Sequence, residues 1–558
     1  MNNRLLITLT TLLYVACGTQ QKTAQHGQAE KHRLLLLPIE ESAPTAQIDY
    51  KSSDSDPITL NVKLARNKVD YYVPLALNDI NTEGKIKNLP ESAIAWKTMK
   101  FSNRYKVGKD KFRPQYHFAP LYGWMNDPNG MVYKDGEYHL FYQYNPYGAT
   151  WGNMHWGHAV TRNLVDWEHL PVAITPDKNG AAYSGSSVVD HDNVAGFGAD
   201  AIVSFYTSKS NREAQSIAYS TDNGRTFTKY EHNPILCSDE RDFRDPKVIY
   251  HAGSKQYIMA LAVGQNIEFY SSKNLKDWQF ESKFGETYGV HGTGYAVWEC
   301  PDLIELNIEG SNEKRWVLLV NINGHGPASG GSATQYFIGN FDGHRFTCED
   351  DEKQVKWQDY GKDHYAAVTW SNSPDNRTLA IAWMNNWQYA NQVPTTWFRS
   401  SNTIVRSLSL FSHKGDLYLA SKPVEEHKQR RVKAKKISRT SQITFTLKRG
   451  KSQNATFSLA NSLGESVDFN VDFNSNSVVV DRTKSGDTSF SNAFAIAAKA
   501  PIMGEGYHFD IFIDTASVEC FINDGKTVLT NTVFPTEPYN NLHFDEECEV
   551  EDFTIYRY

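Results

Sequence analysis

A chain of 558 residues with 40% apolar content carries enough hydrophobic mass for two or three cored domains, which excludes a disordered protein. Its 57 Lys and Arg stand against 64 Asp and Glu, a net charge of -7, so the basic footprint of a nucleic-acid-binding protein is missing. The partner expected from this balance is small or uncharged.

In chain order, Arg4 and the apolar run Leu5 to Val15, with Ala16 before Cys17, read as an export signal over 1–17 that is too short to span a bilayer. The segment resembles a bacterial lipoprotein signal, which implies a lipidated Cys17, although Tyr14 stands where that motif usually has Leu. The residues after it, Gly18-Thr19-Gln20-Gln21-Lys22, lack acids, which favours the periplasmic side of the envelope over outward display. Residues 18–31 are polar and read as a flexible tether. Short apolar runs at Leu34 to Pro38, Ile58 to Leu64 and Tyr71 to Leu77 predict a small β module over 32–112. Through 113–422 a weak pattern recurs about every 60 residues, in which a strand ends in a polar turn and restarts on an aromatic. Its copies are Thr161 to Trp167, Ser220 to Phe227, Ser271 to Trp278 and Asn340 to Phe346. The spacing suits about five four-stranded propeller blades; unrelated hairpins with shared turn chemistry would read the same way. The charge run Glu425 to Lys436 reads as a solvated linker or surface strand. Beyond it, period-two alternation in Ile443 to Leu447, Val467 to Phe473 and Phe509 to Ile513 predicts a β-sandwich over 423–558.

Three acids stand out by their local contexts. Asp127 lies in Trp124-Met125-Asn126-Asp127-Pro128-Asn129-Gly130, a turn-rich segment with no adjacent Lys or Arg, so it reads as a displayed anion. Asp245 lies in Arg244-Asp245-Pro246 and Glu299 in Trp298-Glu299-Cys300-Pro301-Asp302. Alone, Asp before Pro is more often a turn former, and Arg-Asp-Pro a surface pair. Together the three segments resemble glycoside hydrolase family 32, the β-fructofuranosidases that include invertases, inulinases and levanases. The resemblance continues in order through Phe141 to Pro146, Trp151 to Ala159, Tyr183 to Ser186, Asp359 to Ala366 and Trp383 to Trp387. It implies an all-β protein, a five-bladed propeller followed by a C-terminal β-sandwich, with the small N-terminal β module as an accessory.

That resemblance also implies roles. Cleavage of a fructosyl bond passes through an oxocarbenium-like state, so Asp127 is the expected nucleophile and Glu299 the acid/base, about 5 to 5.5 Å apart for a retaining enzyme. Trp298 and apolar neighbours are expected to keep Glu299 protonated by desolvation, and Asp127 to stay ionised. Asp245 is the expected transition-state stabiliser, held charged by the guanidinium of Arg244 and gripping two ring hydroxyls. Trp124, Asn126, Gln143, Trp151, Tyr183, Ser184 and Arg244 are expected to line the fructose subsite. Tyr183 replaces the Phe of many relatives. Tyr365, Trp383 and Trp387 either border the leaving-group side or are core. No cofactor and no metal is expected: His155 and His158 lack a carboxylate at ligand spacing, and packing or hydrogen bonding accounts for them. Cys237, Cys300, Cys348, Cys520 and Cys548 are odd in number with no CxxC pair, which speaks against a disulfide framework. Cys300 is expected to be an inert core thiol rather than a nucleophile.

The expected substrate is a fructan or sucrose, and the expected membrane contact is limited to a lipid on Cys17. Linkage preference, exo or endo action and oligomeric state stay open. A fructosyltransferase would use the same acids. A five-bladed arabinan glycosidase is disfavoured by the motifs around Asp127 and Glu299, and a non-catalytic fructan-binding lipoprotein by the retention of a proton donor.

Overall fold

The computed structural model describes residues 34–51, 58–77, 83–292, 296–546 and 548–558. The expected signal, the tether and Cys17 lie outside the described residues. Nearly every described element is a strand. No helix among the described residues is long and apolar enough to cross a membrane.

The N-terminal runs fold into two three-stranded sheets. Leu34–Ile39 pairs with Tyr71–Ala76 and Lys100–Ser102, and Ala46–Lys51 pairs with Ile58–Val62 and Glu83–Lys87. Their inward residues, among them Leu37, Ile39, Ile48, Leu60, Val62 and Val73, make one core.

Five antiparallel meanders follow, here called sheets I to V by their first strands: Gly123–Lys134, Ala181–Asp190, Phe243–His251, Trp298–Asn307 and Tyr365–Thr369. Each first strand touches the first strand of the next sheet, and that of sheet V touches that of sheet I, so these strands enclose an axis. This is a propeller. Apolar clusters fill the wedges between sheets, such as Phe205, Val248, Met259 and Leu261 between sheets II and III. The recurring polar turns all fall between third and fourth strands. In two of them the cause is visible: Asn163 Oδ1 accepts from the N–H groups of Val165 (3.2 Å) and Asp166 (2.8 Å), and Asn274 Oδ1 from those of Lys276 (3.0 Å) and Asp277 (2.9 Å). These Asn side chains mimic backbone and let Leu164 and Leu275 hold φ of 62° and 63°.

The C-terminal region packs a six-stranded sheet on a five-stranded one. The alternation read in the sequence sends Ile443, Phe445, Leu447, Val467, Phe469, Val471, Phe509, Ile511 and Ile513 into one core between them. Where propeller meets sandwich the contact is ionic and buried. His117 bridges Asp514 and Glu519, Arg406 bridges Asp359 and Glu519, and Arg482 pairs with Asp363.

Candidate active site

One local irregularity recurs in all five inner strands. Pairing with the second strand slips between Met125 and Pro128, Ala182 and Gly185, Arg244 and Lys247, Glu299 and Asp302, and Tyr365 and Val368. A bulge of this kind frees one or two residues from the ladder and re-aims their side chains. The freed residues are Asn126 and Asp127, Tyr183 and Ser184, Asp245 and Pro246, Cys300 and Pro301, Ala366 and Ala367. Proline suits the position because it has no N–H to give to a ladder. Asp245, Cys300 and Ala366 hold positive φ of 66°, 43° and 52°. The motifs carrying the three acids are therefore bulge sequences, which explains why each acid precedes or lies near a proline.

The bulges bring the three acids together at one end of the axis. The Cys300 thiol lies 3.6 Å from Asp127 Oδ2 and 3.5 Å from Asp245 Oδ2, and Cys300 N–H donates to Asp245 Oδ2 at 2.9 Å. Glu299, the residue before it, sits close enough for its charge to act on both aspartates. Ser184 Oγ donates to Asp127 Oδ2 at 2.7 Å, while Asp127 Oδ1 accepts no hydrogen bond from the described residues. With its amide oxygen turned toward Gln143, Asn129 accepts from Gln143 Nε2 at 2.9 Å and donates to Ser184 Oγ at 3.2 Å. Gln143 Nε2 also donates to Ala182 O at 3.0 Å. Asn126 Oδ1 accepts from Trp124 Nε1 at 2.8 Å. Asn126, Gln143 and Ser184 are thus buried neighbours of Asp127, tied to its own or the adjoining strands.

Electrostatics differ from expectation at Asp245, and the contacts differ at Glu299. Arg244 does not hydrogen-bond Asp245. It donates through Nε (3.1 Å) and Nη2 (3.0 Å) to Glu299 Oε1, and through Nη1 to Asp242 (2.8 Å) and Glu213 (3.2 Å). Burial opposes the Arg244 charge, but Glu299, Asp245 and Glu213 outweigh it and hold the guanidinium protonated. Asp245 is consequently raised above the usual carboxylate range: burial dominates, Glu299 and Asp127 add to it, and Arg244 opposes only in part. Nor is Glu299 wrapped in apolar groups. The pleat turns Trp298 into the wedge core, where its Nε1 donates to Val290 O at 2.9 Å, and Glu299 meets Arg244 on one oxygen and the Tyr365 hydroxyl on the other. Burial and the Glu299 charge push Asp127 up to about 6, which leaves it mostly ionised at neutral pH. The same burial and the three acids push the Cys300 thiol well up, so it stays protonated and acts as a donor to carboxylates.

Around this centre, Trp151 is 45% exposed, with its ring edge-on to Tyr183 at 6.2 Å. Trp124 and Trp383 have no exposed surface and form, with Met154, Cys300 and Tyr365, the packed floor beneath the acids. Trp124 and Trp383, expected from the sequence to border the substrate, are packed in this cluster with no exposed ring surface. Trp387, half-buried, stacks on Trp124 at 5.8 Å. His155 and His158 are buried; His158 Nε2 pairs with His139 Nδ1 at 3.0 Å, and His155 Nδ1 with Asn153 O. The sequence reading missed Glu213 and Asp242. No motif marks them, and only the folded sheets place them on Arg244.

Three carboxyl groups at different depths, one flanked by a cation and a phenol, can divide attack, proton transfer and hydroxyl binding among them. Comparison with known proteins agrees with that chemistry. The model for the glycosyl hydrolases family 32 N-terminal domain matches residues 117–423, that for the family's C-terminal domain matches 408–557, and a domain of unknown function (DUF4980) matches 20–116. A levanase of Bacillus subtilis (strain 168) is 45% identical over 464 residues, 78% of this chain and 68% of the levanase. The crystal structure of an exo-inulinase from Aspergillus awamori superposes with a TM-score of 0.74 at 33% identity, covering 81% of this chain and 99% of that one. A fructofuranosidase from Schwanniomyces occidentalis, solved with fructosylnystose, superposes at 0.73 with 33% identity, covering 81% and 99%. With both of the family's domains present in order, and close likeness to enzymes of this kind over most of its length, the chain belongs to the glycosyl hydrolases family 32 and is a glycosidase of the fructan and sucrose type.

Proposed function

We propose that the enzyme cleaves β-fructofuranosidic bonds with retention, through a covalent fructosyl-Asp127 intermediate. The observation that supports this is the meeting around Cys300 of Asp127 and Asp245, each on a bulge of its inner strand, with Glu299, the residue just before a third bulge. In the first step an Asp127 oxygen bonds to the anomeric carbon of the fructosyl group, the glycosidic C–O bond breaks, and Glu299 gives its proton to the departing oxygen. In the second, water loses a proton to Glu299 and bonds to the same carbon, which releases Asp127. Asp245, buried beside them, binds ring hydroxyls and stabilises the cationic transition state. Arg244 and Tyr365 hold the Glu299 carboxyl in place from two sides. Asn126, Gln143, Ser184, Tyr183 and Trp151 surround the sugar; the amides offer paired donors and acceptors to its hydroxyls.

Glu299→Gln is the direct test. Loss of the acid catalyst lowers kcat on levan, inulin or sucrose by at least ~100-fold, and unchanged turnover would sink the assignment. Asp127→Ala abolishes turnover with the fold intact. NMR of the first-formed fructose reads the stereochemistry, and the inverted anomer appearing first would exclude a covalent step. Incubation with sucrose separates hydrolysis from transfer, since longer oligosaccharides in place of free fructose mark a transferase. From the sequence alone we add that Cys17 carries a lipid and holds the enzyme on the periplasmic side. Cys17→Ser then moves it from the membrane to the soluble fraction.

A further inference from the structure

Trp151 sits on the loop 146–154, which joins the second strand of sheet I, Glu137–Asn145, to the third, His155–Thr161. An exposed indole on a loop has many orientations to lose on binding a ligand, so whatever fixes the loop lowers that cost. The residues two places before and two places after Trp151 are both fastened to the N-terminal module. Ala149 is fully buried within the module's own apolar core, together with Tyr71, Leu64 and Val73, and Tyr147 packs against the same cluster. Ala149 N–H donates to the Tyr71 hydroxyl at 3.0 Å, and that hydroxyl in turn donates to Glu41. On the other side, Asn153 holds φ of 45° and makes a reciprocal pair with the backbone of Asn61. Asn61 N–H donates to Asn153 Oδ1 at 2.8 Å, and Asn153 Nδ2 donates to Asn61 O at 2.8 Å. The propeller completes the clamp. Arg399 donates to Ala149 O at 2.8 Å, Asn145 to Thr150 O at 2.8 Å, and Trp151 N–H donates to Asn391 Oδ1 at 3.1 Å.

We infer that the N-terminal module is part of the substrate-binding apparatus: through Tyr71 and the Asn61–Asn153 pair it holds the Trp151 loop in its binding geometry, so that Tyr71, Asn61 and Asn153 are positioning residues for substrate affinity. This rests on the reading of Trp151 as a fructose-subsite residue. The module touches none of the three acids through these contacts, so its effect falls on binding and leaves the chemical step alone.

The test uses the full-length enzyme and a kinetic split. Asn153→Gly keeps the positive φ and removes both bonds to Asn61, together with the 3.1 Å bond from Asn153 Nδ2 to Asn145; Asn153→Asp keeps one acceptor; Tyr71→Phe acts from the module side. The expected result is a KM raised about three- to tenfold in Asn153→Gly and Tyr71→Phe, by a smaller factor in Asn153→Asp, with kcat within twofold of the parent. Trp151→Ala alone raises KM at least tenfold, and adding Tyr71→Phe or Asn153→Gly to it changes KM no further, because the residue being positioned is gone. If Trp151→Ala raises KM while the clamp variants leave it unchanged, or if the effects simply multiply, the positioning role is overturned and the subsite reading stands. If Trp151→Ala itself leaves KM unchanged, the subsite reading fails first and the inference with it. A kcat loss matching the KM change would mark a merely structural module, which also overturns the inference.

Discussion

Deprotonating His117 should loosen the join between propeller and sandwich. The ring is fully buried, with Nδ1 2.9 Å from Asp514 Oδ2 and Nε2 2.7 Å from Glu519 Oε1. Burial by itself would strip its proton, but the hydrogen bonds and charges of the two acids outweigh that and raise it from 6.5 to about 9. Both acids are fixed elsewhere: Asp514 accepts from the N–H groups of Gln115, Tyr116 and His117, and Glu519 from Ile404 N–H and Arg406. Glu519 is held low, at about 2, and Asp514 is held low as well, so neither titrates between pH 6.5 and 9.5. Neighbouring His427 is neutral there, since burial lowers it to about 3. A group that binds its proton more tightly when folded contributes stability that is fully present below its unfolded value and lost as pH rises through its folded value. At about 1.4 kcal/mol for each pH unit, raising pH from 6.5 to 9.5 costs about 3 kcal/mol from this ring. Urea unfolding followed by tryptophan fluorescence at the two pH values measures it, with His117→Gln as the control that removes the titrating group. Should the parent lose no more stability over that interval than His117→Gln does, the claim of a buried histidinium between two carboxylates is wrong.

At the active site, kcat/KM should fall as pH drops through about 6, because the raised Asp127 loses the charge needed for attack; undiminished kcat/KM at pH 4 would rule out Asp127 as the titrating nucleophile. Tyr365→Phe removes the hydroxyl that donates to Glu299 Oε2. A hydrogen bond to the protonated acid of the first step is worth about 0.5–1.5 kcal/mol, so kcat should drop roughly two- to tenfold with KM little changed, and a parental kcat would show the contact to be idle. Cys300 should resist iodoacetamide at neutral pH because burial and three nearby acids keep its thiol protonated. Stoichiometric alkylation of that residue, detected by mass spectrometry, would contradict this.

Much of this molecule was legible along the chain. Period-two alternation from Ile443 to Ile513 located strands and their inward faces, because in a half-buried strand every second side chain meets the core. The polar turns that Asn163 and Asn274 cap announced repeated meanders, since side-chain mimicry of backbone is local chemistry. The acids themselves stood out through the motifs around them; that Asp127, Asp245 and Cys300 each precede a proline gains its meaning from the bulges of the folded strands. What the chain could not show is which partner each side chain meets. Arg244 adjoins Asp245 in sequence but reaches Glu299, 55 positions away, because the bulge at Asp245 and the angle between sheets III and IV decide where the guanidinium ends. Within Asp359 to Ala366, Asp359 and Asp363 turn to Arg406 and Arg482 at the sandwich contact, while Tyr365 alone reaches Glu299. The N-terminal module, silent as sequence, acquires its place where Tyr71 meets Ala149 across 78 positions and Asn61 meets Asn153 across 92. Local pattern determines strands, turns and bulges through backbone sterics and hydrogen bonding. Convergence depends on distances between sheets, and those exist only once the cores between them are packed.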